Sequence, residues 1–362
     1  MRLLISGHRL TTAVVRDVVA LLLSTSTVAG LAIGLMVAAG HAGEPQSIAP
    51  TVRLQSPHAS DQDDMCIWVH PRHADQSLVI ASDKSAGRLF VYDLQGQVLQ
   101  EVSVTKPGNI DLRQRVSLGK QLRDLVVVNL RAGGFRLAVF EVDVATRKLQ
   151  RMDNDDLATG PNYGGCLYHS RKNGQLSFIC TSETGAVEQH ELFLAADGRI
   201  GSRKLRSWLL GKSEGAVADD ETGLVYIAEE AKGVWRFPAD PDQPAIGTLV
   251  VPIGQNGLKG DVEGLALRTG PQGTGLLVVS DQGANRYAVY QRQSPHAFVT
   301  AFSIEGAHQT DGIELISAPL GPAFPEGLFA CHTDRVPRPV LLTGWQEIAR
   351  QVPILKKDAV AP

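Results

Sequence analysis

Residues 78–94 read LVIASDKSAGRLFVYDL: an apolar run, a polar turn containing Gly87, and a second apolar run. Each run is four to six residues, too short for a helix and the usual length of a strand, so the stretch reads as a β-hairpin. The form recurs. LVVVNLRAGGFRLAVFEVD begins at Leu125, LSFICTSETGAVEQHEL at Leu176, LVYIAEEAKGVWRF at Leu224, LLVVSDQGANRYAVYQR at Leu276, and a weaker LFACHTDRVPRPVLLTGW at Leu328. Successive starts lie 47 to 52 residues apart.

A second series runs ahead of the first: DDMCIWVHP at Asp63, NIDLRQRV at Asn109, YGGCLYHS at Tyr163, EGAVADD at Glu214, DVEGLAL at Asp261 and DGIELI at Asp311. Each opens on a polar residue and continues as a strand, which gives every unit three strands and room for a fourth. Four strands repeating at this period imply a propeller blade, and six units imply an all-β, six-bladed β-propeller of four-stranded blades. A β-sandwich has short strands at regular turns too, but at a spacing of about 8–12 residues. Only TGWQEIARQV, near residue 350, reads as helical.

The propeller is expected over residues 59–352, with a leader or linker at 43–58 and a tail at 353–362. Residues 1–42 read as an export signal: Arg2, His8, Arg9 and Arg16 precede an apolar run from Val18 to Ala39, and AAGHAGEP offers small residues for cleavage after Ala42. The run is also long enough for a retained anchor. Either way a secreted, periplasmic or membrane-anchored location is expected. The formal net charge of −3 over 362 residues gives no reason to expect nucleic acid as a partner, and a monomer is expected. Four cysteines make no disulfide framework, and none shows zinc spacing. Cys166 and Cys180 flank a hairpin turn at Asn173-Gly174; in a symmetric register they would face each other as a disulfide, and two separately buried thiols are the alternative.

In a propeller the first strand of each blade lines the central channel, so equivalent strand ends converge on one mouth. Asp63, Asp64, Asp111, Tyr163, Glu214, Asp261, Glu263 and Asp311 would form a ring there, which Glu229 and Glu230 could join. Strand alternation would put Asp261 and Glu263 on one face. So many carboxylates cannot all stay ionised without cations. Oxygen donors with no recurring His or Cys suit calcium, in several ions. Lys84 and Arg131, in equivalent hairpin turns, add cations that with a metal would suit a polyvalent anion such as a phosphate ester.

These stretches resemble the β-propeller phytases, the calcium-dependent alkaline phytases of bacteria. The resemblance is carried by DQDDMCIWVHP from Asp61, GNIDLRQ from Gly108, YGGCLYHSRKNG from Tyr163, SEGAVADDETGLVYIAEEAKGVWRF from Ser213, GDVEGLAL from Gly260, SDQGANRYAVYQR from Ser280, TDGIEL from Thr310 and GWQEIARQ from Gly344. It implies a six-bladed propeller that releases phosphate from phytate, taken as its calcium complex, through attack of a calcium-held water. It implies calcium ligands at Asp64, Glu214, Asp261, Glu263, Gln282 and Asp311, with Asp63 and Glu230 close by. Lys84, Arg131 and Tyr163 fall on the residues that bind the cleaved phosphate, and Asn109 and Asp111 on those near the adjacent phosphate; Glu230, beside the ligands, is a candidate to orient or deprotonate the water. Two positions depart from the family: Ser85 and Glu183 stand where it often has lysines, which puts tight holding of a second phosphate in doubt. A calcium-dependent propeller lactonase and a non-catalytic, calcium-stabilised binding propeller are the rival readings.

Overall fold

The computed structural model describes residues 47–356; the expected export signal lies outside them, as does the end of the tail. Six sheets follow one another along the chain. Their innermost strands are Gln62–Trp68, Pro107–Leu118, Gly164–His169, Ser213–Asp219, Val262–Thr269 and Ile313–Ile316, one for each of blades 1 to 6. In every blade the next strand is the first arm of a hairpin picked out by sequence, and it pairs antiparallel with the inner one.

The apolar residues collect into six clusters, one between each pair of neighbouring blades. Cys66, Trp68, Ile80 and Val91 of blade 1, for example, pack on Val126, Val128, Ala138 and Phe140 of blade 2. Alternation explains this: strands packed on both faces are apolar at nearly every position, as in Leu78–Asp83, which is buried throughout. The core is therefore a ring of six interfaces around a channel of about 520 Å³ lined by the inner strands.

The ring is closed by residues that sequence reading assigned to a leader. Val52–Leu54 pairs with Val340–Gly344 as the outer strand of blade 6, which has only three strands of its own. Ser47–Ile48 adds a parallel fifth strand to blade 5. The expected 43–58 linker is thus partly propeller, and it escaped notice because strands of two and three residues carry no period. The expected helix is present at Trp345–Gln351, buried on Trp345, Ile348 and Ala349. Beyond it, Leu355 of the expected tail is also buried in the same cluster.

The Cys166–Cys180 disulfide does not form: both thiols are free and buried. Cys180 pairs with Gly165, and Cys166 with Ile179. That one-residue offset turns the two side chains to opposite faces, Cys166 into the blade 3–4 interface and Cys180 into the blade 2–3 interface.

Candidate active site at the channel mouth

In blades 3 to 6 a glycine follows a polar residue at or near the start of the inner segment: Tyr163-Gly164, Glu214-Gly215, Glu263-Gly264, Asp311-Gly312. These glycines are where neighbouring blades touch. The Gly264 N–H donates to the Asp311 carbonyl at 2.8 Å, and that of Gly312 to the Asp63 carbonyl at 3.2 Å. A Cβ on Gly215 would stand 2.1 Å from the Glu263 carbonyl oxygen. Each glycine therefore lets the next blade's acid come in at backbone distance, which is how acids some 50 residues apart arrive at one mouth.

Two adjoining halves result. In the first, Lys84 Nζ lies 2.6 Å from Asp63 Oδ1, 3.5 Å from Asp311 and 3.7 Å from Asp61. Arg131 approaches the other Asp63 oxygen at 3.3 Å, pairs with Glu214, and donates to Asn109 Oδ1 at 3.1 Å. Its guanidinium stacks on the Tyr163 ring, 4.5 Å from the centroid. Burial would raise Asp63, but Arg131 and Lys84 outweigh it and hold this carboxylate below its ordinary value. Lys84, Arg131 and Tyr163 line a cavity of about 470 Å³ together with Ser85, Lys106, Phe135, Asn162 and Glu183.

The second half is acidic. Oxygens of Glu230, Asp261 and Glu263 lie within 4.8 Å of one another. Burial, then Glu214 and Glu230, pushes Glu263 up to about 10. Burial, then Asp63, pushes Asp311 up to about 8 although Lys84 opposes the shift. Glu263 Oε2 and Glu230 Oε1 are buried without a hydrogen-bond partner. The Glu230, Asp261 and Glu263 cluster, all carboxylate and with two unpartnered oxygens, fits a hard divalent cation, while Asp311 beside it also lies 3.7 Å from His332 Nδ1. Gln282 joins through its amide, which donates to Asp311 at 2.7 Å.

Not every expected residue sits as the sequence suggested. Asp261 precedes its strand in a left-handed conformation (φ 56°), and the pairing register shifts between Val262 and Leu265. A turn and a bulge, rather than strand alternation, bring Asp261 beside Glu263. Asp64 lies on the channel wall, its Oδ2 accepting the Ile110 N–H of blade 2 at 3.0 Å, with burial raising it well above the carboxylate range. Asp111 belongs inside the channel: it accepts the Leu167 N–H at 2.8 Å and is gripped by Arg113, which also binds Asp220. Burial, only partly offset by Arg113, raises it. Glu229 is taken by Lys232 at 2.8 Å and by Trp235 Nε1, so of the two adjacent glutamates only Glu230 faces the cluster. Sequence reading passed over Lys212, whose ammonium lies 2.8 Å from Glu230 and 5.4 Å from the Tyr163 centroid. Nothing in its own sequence neighbourhood marks it.

A family model described as Phytase matches residues 11–348. A 3-phytase of Bacillus subtilis (strain 168) is 33% identical over 353 residues, covering 90% of this chain and 92% of that protein. Among solved structures, the calcium-binding protein regucalcin from Agrobacterium tumefaciens str. C58 superposes with a TM-score of 0.53 over 83% of this chain and 96% of that one. At 15% identity it bears on the propeller fold alone.

Proposed function

The chain belongs to the phytase family and is a phytase, and from that premise we propose that it hydrolyses phytate in a calcium-dependent way at the six-blade mouth. The observation that carries the calcium reading is the cluster of Glu230, Asp261 and Glu263, with two buried carboxylate oxygens that no protein group satisfies. Glu230, Asp261 and Glu263 would hold one ion; Glu214, Gln282 and Asp311, with Asp63 and, from the channel wall, Asp64, would be the donors for others. Calcium bound there supplies the positive charge that an acidic opening lacks and makes a nearby water more acidic.

The protein's own groups divide the remaining work. Lys84 and Arg131 border the cavity as cations. Burial alone would lower both, but Asp63 beside Lys84 and Glu214 beside Arg131 outweigh it and keep them charged. They neutralise the non-bridging oxygens, where charge must be held as the phosphoryl group transfers. Tyr163, fixed under Arg131, orients that group. Asn109 and Asp111 were expected to hold the neighbouring phosphate. Asn109, bound to Arg131, suits the task; Asp111 acts instead by fixing Arg113. Glu230 would orient or deprotonate the water through the oxygen it does not give to the ion. No side chain has to act as nucleophile.

Export by the signal at residues 1–42, to a secreted or periplasmic location, and action as a monomer complete the proposal. The test is phosphate release from phytate with and without calcium, together with thermal unfolding. Chelation is expected to abolish release and lower the melting temperature together, because a ligand bound only to the folded state stabilises it by mass action. Full activity after exhaustive calcium removal would overturn the reading.

A further inference from the structure

Lys212 joins the two halves of the mouth. Its carbonyl accepts the Glu230 N–H at 3.1 Å, so the two residues share a rung at the top of blade 4, and its ammonium closes back on the Glu230 carboxylate at 2.8 Å. Glu263 and Glu183 act on the same ammonium. The ammonium also lies near the Tyr163 ring, which carries Arg131 at 4.5 Å and borders the cavity of Lys84 and Lys106. The side chain is half exposed, 49%, and is free to swing on its four-carbon stem. It therefore stands between a cluster that fits a metal and the Tyr163 wall of a cavity that fits an anion.

We propose that Lys212 is a calcium-displaced clamp: it occupies Glu230 while the carboxylate cluster is empty, and it is released by cation binding to take a phosphate of the substrate. This rests on the calcium reading above. The physical ground is competition for one oxygen donor set. Glu230 cannot give full charge both to an ammonium 2.8 Å away and to a divalent cation shared with Asp261 and Glu263. Once a cation fills the cluster, the ammonium meets repulsion where it had attraction, and the Tyr163 ring that it already approaches at 5.4 Å borders the anion cavity. Glu183, which lines that cavity, would otherwise leave its far side acidic; a displaced Lys212 offsets that charge. One residue thus couples metal loading to substrate affinity.

The coupling predicts opposite signs in two measurements on the full folded chain. By calorimetric titration of calcium alone, without substrate, Lys212→Gln should bind calcium about threefold more tightly than the wild type, the scale of one half-exposed ion pair. In phosphate-release assays at saturating calcium, the same variant should show a KM for phytate raised by a factor of about three to ten, with kcat within about twofold. Lys212→Arg should restore the KM. Lys232→Gln, which removes an exposed lysine bound to Glu229, controls for net charge. The inference is overturned if Lys212→Gln alters calcium affinity no more than Lys232→Gln does, or if its KM is unchanged. A wild-type protein that takes up no calcium in the titration would instead sink the metal reading itself.

Discussion

A carboxyl group at position 263 cannot be both buried and charged unless a cation stands beside it. Without one, burial and the acids around it lift Glu263 to about 10, well above the ~4.3 of an unfolded glutamate. The sign follows from linkage. Between those two values the folded, metal-free chain holds a proton that the unfolded chain has released, so the contribution to stability is complete below about pH 4 and falls away as pH rises toward 10. Asp311, at about 8, acts in the same direction. In chelator, the melting temperature is therefore expected to drop steadily from pH 5 to pH 9, at about 1 kcal/mol per pH unit from Glu263. Excess calcium should flatten the curve, since the cation replaces the proton. Glu263→Gln should make the drop shallower without calcium, leaving the part that Asp311 contributes, and weaken calcium binding about tenfold, because ligand charge sets affinity for this ion. A pH-independent melting temperature in chelator would mean that Glu263 is not the strained group described.

At the scale of the element, the strand ends explain why the mouth exists, and the glycines decide how tightly it closes. A Cβ on Gly264 would lie 2.4 Å from the Asp311 carbonyl oxygen, and one on Gly215 2.1 Å from that of Glu263. Both atoms belong to backbone and cannot rotate away. Gly264→Ala and Gly215→Ala are each expected to cost about 1–3 kcal/mol in denaturant unfolding and to weaken calcium binding, since the displaced carbonyls belong to Asp311 and Glu263. Loss of stability with unchanged calcium affinity would separate packing from the site. The acids were legible in the sequence because they repeat with the blade period; the function of the glycines was not, because each one's partner comes from the next blade. The same limit hid the register of blade 3, where a shift of one residue sends Cys166 and Cys180 to opposite faces. Lys212 stayed hidden too, since its partner Glu230 is on the neighbouring strand and no pattern links the two.

Over the whole molecule, the site is only as good as the closure of the ring. Blade 6 supplies Asp311 and blade 1 supplies Asp63, and both meet Lys84 across the seam where the last blade joins the first. That seam is sealed by Val52–Leu54, whose Leu54 is fully buried among Met65 and Tyr92 of blade 1 and Leu328 and Leu342 of blade 6. A chain starting at Gln55 keeps every residue of the mouth but loses this strand and its buried leucine in addition to Ser47–Ile48, and the loss of Leu54 alone is expected to cost roughly 3–5 kcal/mol. Blade 6 would then present an open edge, and Asp311 would no longer be held against Asp63 and Lys84. Calcium affinity and phytate turnover should fall together with the melting temperature. Among the described residues a chain starting at Ala49 loses only Ser47–Ile48, the added strand on blade 5, and should keep turnover with a smaller thermal shift. If both truncations behaved alike, closure would lie elsewhere than in Val52–Leu54, and the alignment of Asp63 with Asp311 would have to come from the inner strands alone.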